Sequence, residues 1–441
     1  MKLHGWDTAF ALDMAVANEA LARGGGLVTD FEVDDPDGLG VRTRGTFGAW
    51  QLVEGGSGQL VRVRLPIVHG ELELSHDGSR VDLAGTAFVA SIALDLVPAD
   101  VPREQVLRFQ VTSAAPVGSD PVPGAGTPVR LDDPGHRLDD VANALLLAAL
   151  ADYLAVHADR LTYAFATVNL VPPQEDSWLA PVGSAFAYAD RAGGGGTLVI
   201  LSVTTPRPVV DLPRTVDPAL LDAQHEAAFA FSQALLLEHV VMPALPAAFG
   251  HGATADAFLY DPGAAVIRNA RTLRMASVRK GAIDYDPEVR TLRLGVAGST
   301  LRGYYGGWCD LKAGISMTFE VEPSNTVVYD ATTRSLVFED DPSPRNNHDA
   351  DIPWYWWFGG PLVRLIVEVV VQAIASGLAG SLTQAAGSLL SPARNPPTSI
   401  MWTATRDLQV AAARLDEDFV MQGDFTLTGA QALEARDAAT G

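Results

Sequence analysis

Residues 361–390 form a run that an ordinary surface helix does not tolerate. Between Pro361 and Leu390 the segment is mostly Leu, Ile, Val, Ala and Gly. Its polar groups are ordered: Arg364, Glu368, Gln372 and Ser376 recur every fourth residue. On a helix they form one narrow stripe. A helix that is apolar over the rest of its circumference has to be buried. Arg364 and Glu368 are spaced as an i, i+4 ion pair, which is expensive in lipid. Ser376, Gly377 and Gly380 interrupt the apolar run further. The segment therefore predicts a helix enclosed by protein rather than a membrane span.

Three more helices are expected. Over residues 8–23, Phe10, Met14, Ala17 and Leu21 share a face and Gly24-Gly25-Gly26 stops the helix. Over 138–159, acidic residues occupy the first turn, as the helix dipole favours. Over 218–242, Asp217 is the expected N-cap, Pro218 the first helical residue, and Pro243 and Pro246 the terminators. Between these segments the chain alternates with period two. Val61, Val63, Leu65 and Ile67 face one way and Arg62 and Arg64 the other, before an Asp77-Gly78 turn signal. Strands arranged in runs favour an antiparallel α+β class. Wide-faced apolar helices among amphipathic strands predict long helices wrapped by strongly curved antiparallel sheets. The order of helix and strands repeats, so two α/β modules are expected, 1–210 and 211–441, joined near Thr204-Thr-Pro-Arg-Pro208.

Composition limits the function. With 31 basic and 53 acidic residues, the formal charge is −22. No basic run reverses this locally, so nucleic acid is not an expected partner. Cys309 is the only cysteine, which rules out an intrachain disulfide and a thiolate zinc cluster. The first seven residues do not read as a signal peptide. A cytoplasmic location is the expectation, with a non-Sec route if the protein is released.

The chemistry-bearing motifs are missing. The sequence contains no phosphate loop, dinucleotide fingerprint, zinc helix or G-x-S-x-G elbow. His225-Glu226 lacks a second histidine at the right offset. His348, Asp349 and Asp351 read as a solvated loop, since a calcium site needs six or more oxygens. No enzyme activity, cofactor or metal is expected.

Apolar features point to binding instead. A curved sheet on a helix can bury acyl methylenes at ~0.8 kcal/mol each. The expected lining is Phe231, Leu235 and Met242 on one helix and Ile366, Val370, Ile374 and Leu378 on the other. Trp354, Trp356 and Trp357, just before the 361–390 run, either plug the end of the fold or sit at a membrane interface.

Three sequence blocks carry a resemblance. The first is Gly5-Trp-Asp7 with Ala9-Phe10 and Ala17-Asn18. The second joins Trp178-Leu-Ala-Pro181, Tyr188-Ala189 and residues 196–204. The third runs from Ser232 to Phe249 and includes Glu238-His-Val-Val-Met-Pro243. Together they resemble the forty-seven-kilodalton accessory proteins of clostridial OrfX-type toxin gene clusters. The resemblance implies an elongated tubular lipid-binding (TULIP) fold and no catalytic residues. It implies a non-catalytic protein that binds lipid or another apolar ligand, as an accessory component of a toxin or secreted complex, with protein partners encoded nearby. The alternative is a structural or assembly protein whose tubular fold has no open lipid cavity. Ala373, Gly377 and Gly380 favour that version, because small residues let helix and sheet close together.

Overall fold

The computed structural model describes residues 1–425 except 35–37, 39, 171–177, 250–251, 281, 313–314, 331–334, 340, 342–343, 352–398 and 406–407. The chain divides into two compact units. One comprises Leu3–Phe229, Pro396–Gln409 and Gly423–Gly441; the other Met1–Lys2, Ala230–Asn395 and Val410–Gln422.

The first unit contains β1 (Thr8–Asp13), α1 (Met14–Arg23), β2 (Asp30–Asp34), β3 (Val41–Phe47), β4 (Gln51–Gly58), β5 (Leu60–Leu74) and β6 (Arg80–Asp82). It continues with β7 (Ala87–Pro98), β8 (Glu104–Ala114), β9 (Gly124–Asp132), α2 (Asp140–Val156), β10 (Ala166–Asn169), β11 (Gly183–Asp190) and β12 (Gly196–Val203). Its main sheet runs β10-β8-β9-β7-β5-β4-β11-β12-β1, and β2, β3 and β6 branch from β5. Pairing is antiparallel except where β8 meets β9. Along β5, Val61, Val63, Leu65 and Ile67 are buried while Arg62 and Arg64 alternate between them at half-burial. The helix α2 packs on β2, β8 and β9. The Asp139 side chain caps it by accepting from the Ala142 N–H at 2.7 Å.

The second unit is built on a second antiparallel sheet. Its elements are β14 (Phe258–Asp261), β15 (Val266–Asn269), β16 (Leu273–Arg274), β17 (Val278–Lys280), β18 (Ile283–Tyr285), β19 (Glu288–Ala297), β20 (Thr300–Lys312), β21 (Ile315–Glu322), β22 (Ser324–Asp330), β23 (Ser335–Glu339) and β24 (Arg345–Asp351). The order is β14-β15-β19-β20-β21-β24, with β22 added on β20, β23 on β22 and β16 on β19, while β17 and β18 form a separate two-stranded sheet. Leu292, Leu294, Leu301, Tyr305, Phe319 and Val321 form its buried face.

Long apolar helices wrapped by curved sheets are not what the described residues form. They are 51% strand and 15% helix, and the longest helix, α2, has 17 residues. No helix among them is long and apolar enough to cross a membrane. The elongated tubular α+β expectation is therefore corrected to a strand-dominated fold. The cause lies in strands buried on both faces. All residues of β1 and β13 (Ala227–Phe231) are buried, so their continuous apolar runs read like core helix. The helix expected over 8–23 is strand up to Asp13, and helix only from Met14. The helix expected over 218–242 begins instead at Gln233, after that strand. Its middle, Leu236–Val241, is a π-helix, and Met242–Phe249 continues past Pro246. Neither Pro243 nor Pro246 has an N–H to give a regular ladder, and the wide turn stands just before them. The 361–390 segment lies outside the described residues.

Candidate functional site

The strands β2, β3, β5 and β6 form a small sheet with two contrasting faces. Phe31, Val33, Val41, Thr43, Leu72 and Leu74 are buried on the inner face, where Phe31 and Phe47 stack at 4.6 Å. Period-two alternation then sends every intervening residue outward. The outward residues are charged, and the register sets them in two rows. One row reads Asp34, Arg42, Glu73, Arg80; the other reads Glu32, Arg44, Glu71, Asp82.

The charges meet across strands. Arg42 lies 2.7 Å from Asp34, Arg44 3.7 Å from Glu71, and Arg80 3.2 Å from Glu71 and 2.9 Å from Glu73. Arg42, Arg44 and Arg80 are each more than 60% exposed. Pairs this exposed contribute about 0.2–1 kcal/mol apiece, so the ladder adds little to stability. What it builds is a shaped polar surface. Glu32, Asp34, Arg42, Arg44, Glu71, Glu73 and Arg80, with Val33 and Thr43 beneath, line a pocket of about 360 Å³. Three guanidinium forks and four carboxylates thus face a single recess.

The pocket lacks the parts of a catalytic site. Thr43 is its only hydroxyl residue, and that hydroxyl is buried and donates to the Glu71 carbonyl at 3.1 Å. Among the described residues, no group of three or more His, Cys, Asp and Glu is placed to hold a metal ion. Elsewhere, His225 lies beside Asp222 at 2.8 Å. Burial opposes the Asp222 charge, but the backbone N–H groups of Gln224 and His225 and the imidazole outweigh it and hold the carboxyl below its ordinary range. The Asp222 carbonyl also accepts from Arg191 at 3.1 Å. This pair fastens a loop, since the same Asp222 carboxylate also accepts from the Gln224 N–H at 2.9 Å.

The residues singled out from sequence fall elsewhere. Phe231 is fully buried and stacks on Phe419 at 4.9 Å. Leu235 is buried at the start of the helical stretch and Met242 is half-buried. Trp354, Trp356, Trp357, Ile366, Val370, Ile374 and Leu378 lie outside the described residues. Sequence reading missed the ladder, although Val41-Arg-Thr-Arg44 and Glu71-Leu-Glu-Leu74 carry the alternating signal for it.

The fold and this surface can be set beside known proteins. The family model described as OrfX-like, Protein OrfX2/OrfX3/P47, matches residues 3–391. The chain belongs to the OrfX-like family. Protein P47 of Clostridium botulinum (strain Kyoto / Type A2) is 23% identical to this OrfX-like chain, over 96% of this chain and 100% of that protein. Protein OrfX3 of Paraclostridium bifermentans is 22% identical over 67% of this chain and 66% of its own length. Among solved structures, P47 from Clostridium botulinum A2 superposes with a TM-score of 0.70, at 22% identity, over 96% of this chain and 98% of that one. The OrfX-like chain thus has the P47 fold.

Proposed function

We propose that this OrfX-like chain is a non-catalytic accessory protein that works by binding, with the charged ladder as its contact surface for a protein partner. The carrying observation is the pocket of about 360 Å³ lined by three exposed arginines and four carboxylates. Its mixed charge suits a polypeptide carrying both signs, because complementary charge sets register and partner choice more than raw affinity. A membrane or polyanion, negative throughout, meets the Glu32, Asp34, Glu71 and Glu73 carboxylates. The family supports the reading, since the matching relatives carry the names P47 and OrfX3 rather than names of enzymes. The resemblance to toxin-cluster accessory proteins makes the products of neighbouring genes the first partners to test. The apolar-ligand reading rests on the same resemblance, on Phe231, Leu235 and Met242, and on residues 366–378, the last of which lie outside the described ones.

The test is binding of each purified neighbouring gene product to wild type and to the Arg42→Glu/Arg44→Glu double variant. The expected result is one partner whose affinity falls at least tenfold in the variant while far-ultraviolet circular dichroism is unchanged. Equal affinity for both proteins overturns the assignment. Native mass spectrometry of the same preparation tests for a co-purified lipid.

A further inference from the structure

The second unit presents a different charged face, on the outer side of β15, β19, β20 and β21. Across β19, β20 and β21 the two signs lie mainly on opposite sides, with Arg345 on β24 opposite Glu322 as an exception. Arg268 on β15 stands opposite Arg293 on β19, and Arg293 stands opposite Tyr304 on β20. Arg302 sits two residues before Tyr304, opposite Gly295. Arg290 joins this side and stacks on Trp308 at 4.8 Å. Glu320 and Glu322 stand on β21. Gly306 is opposite Glu320 and carries no side chain, so the Tyr304 ring leans across it and its hydroxyl donates to Glu320 at 2.9 Å. A Cβ on Gly306 would lie 3.3 Å from that hydroxyl.

Some of these arginines have partners within the chain. Arg268 lies 3.4 Å from Asp261 and Arg290 3.9 Å from Glu288. Arg293 and Arg302 are exposed and make no ion pair among the described residues. The face therefore has an arginine side, where Arg293 and Arg302 make no ion pair among the described residues, and a glutamate side on β21, flanked by Arg345 opposite Glu322.

We propose that this face is the contact of a two-fold symmetric dimer, with a second copy of the same chain as its occupant. A two-fold axis lying in the face turns one copy over the other, so the Arg293 and Arg302 side of each meets the Glu320 and Glu322 side of its partner. Both unlike pairings then form twice. A uniformly negative ligand satisfies only the arginines and is repelled by Glu320 and Glu322. Arg, Tyr and Trp are also the side chains that concentrate binding energy in protein interfaces. The size of the face sets the strength. Four strands about 4.8 Å apart and about seven residues long cover ~440 Å². Stable interfaces bury about 800 Å² per partner. The dimer is accordingly of the small, transient class. Physiological salt is the right condition for it, because a screening length of about 8 Å suppresses the long-range repulsion of two chains at −22 each.

Sedimentation equilibrium of the full chain at 0.15 M salt tests this. Wild type is expected to associate reversibly. Arg293→Glu/Arg302→Glu and Glu320→Arg/Glu322→Arg are each expected to weaken association at least tenfold, and an equimolar mixture of the two to restore it. The single variants Arg302→Glu and Glu322→Arg leave the Tyr304 hydrogen bond in place and are expected to act in the same direction. Wild type that stays monomeric at millimolar concentration overturns the proposal. So does association that neither swap weakens, or a mixture of folded variants that fails to associate. A monomeric wild type that binds an oligo-glutamate peptide through Arg293 and Arg302 would show an acidic partner in place of the second copy.

Discussion

The Tyr188 hydroxyl donates to Asp190 at 2.8 Å, and the ring reaches that carboxylate by lying across Gly196 of the neighbouring strand. A Cβ on Gly196 would fall on the ring itself. Asp190 in turn accepts from the Gly55 N–H at 2.8 Å, so one missing side chain lets three strands share a polar link. Burial and the Asp190 hydrogen bond both push the Tyr188 hydroxyl above its ordinary range. Gly196→Ala is expected to destabilise the first unit by about 1–3 kcal/mol, the scale of overpacking a filled site. Denaturant unfolding read by near-ultraviolet circular dichroism checks it, and an unchanged midpoint would refute the close approach.

Asp13 does two jobs with its two carboxylate oxygens. One accepts from the Ala15 N–H at 2.6 Å and caps α1; the other pairs with Arg191. The Asp13 and Arg191 side chains are only 11% and 16% exposed. Asp13→Ser keeps a capping oxygen but leaves the Arg191 guanidinium without its carboxylate, holding only the Asp222 carbonyl among the described residues, and is expected to cost about 3–5 kcal/mol. Asp13→Ala adds the loss of the cap, about 0.5–2 kcal/mol more. The order wild type, Ser, Ala in urea midpoint is the expected outcome. A Ser variant as stable as wild type would show the pair to be dispensable.

How much of this was legible depended on where each residue is buried. The alternation of Val61 to Ile67 and the Asp77-Gly78 turn were readable, because one face of β5 is less buried than the other and Gly78 takes φ +69°. The same reading failed for Thr8–Asp13 and Ala227–Phe231, where both faces are buried and no alternation survives. Asp13 looked like a helix-interior acid, yet its φ of −65° and ψ of 138° are those of a cap. The family was legible in the short blocks around Trp6, Trp178 and His239. The charged ladder was not, since its pairs form only once β2, β3 and β6 register on one another and on β5, the last bringing Arg80 beside Glu71 and Glu73.

Phe231 and Phe419 bear on whether an expected ligand-lining residue is core. Both are buried, with ring centroids 4.9 Å apart at 37°. Phe231→Ala is expected to cost about 3–5 kcal/mol and Phe231→Leu less, by differential scanning calorimetry on delipidated protein. A loss below 1 kcal/mol in ligand-free protein would place the side chain against something other than packed core.

Asp256 supplies a pH-dependent contact in the second unit. The guanidinium of Arg271 lies 2.7 Å from one of its carboxylate oxygens, and this hydrogen bond, followed by that from Thr254, holds the carboxyl at about 2 rather than 3.8. The folded value is below the unfolded one. The contribution to stability is thus present in full above the unfolded value of 3.8 and is lost as pH falls through about 2. Both side chains are at least half exposed, so solvent screening keeps the effect on global unfolding small. The sharper readout is local. Carbon-13 NMR of the Asp256 carboxyl is expected to titrate with a midpoint near 2 in wild type. Arg271→Ala should move that midpoint up toward the ordinary aspartate value, and raised salt should move it the same way by a smaller amount. A midpoint near 3.8 in the wild-type chain would show that the Arg271 contact is not held in solution.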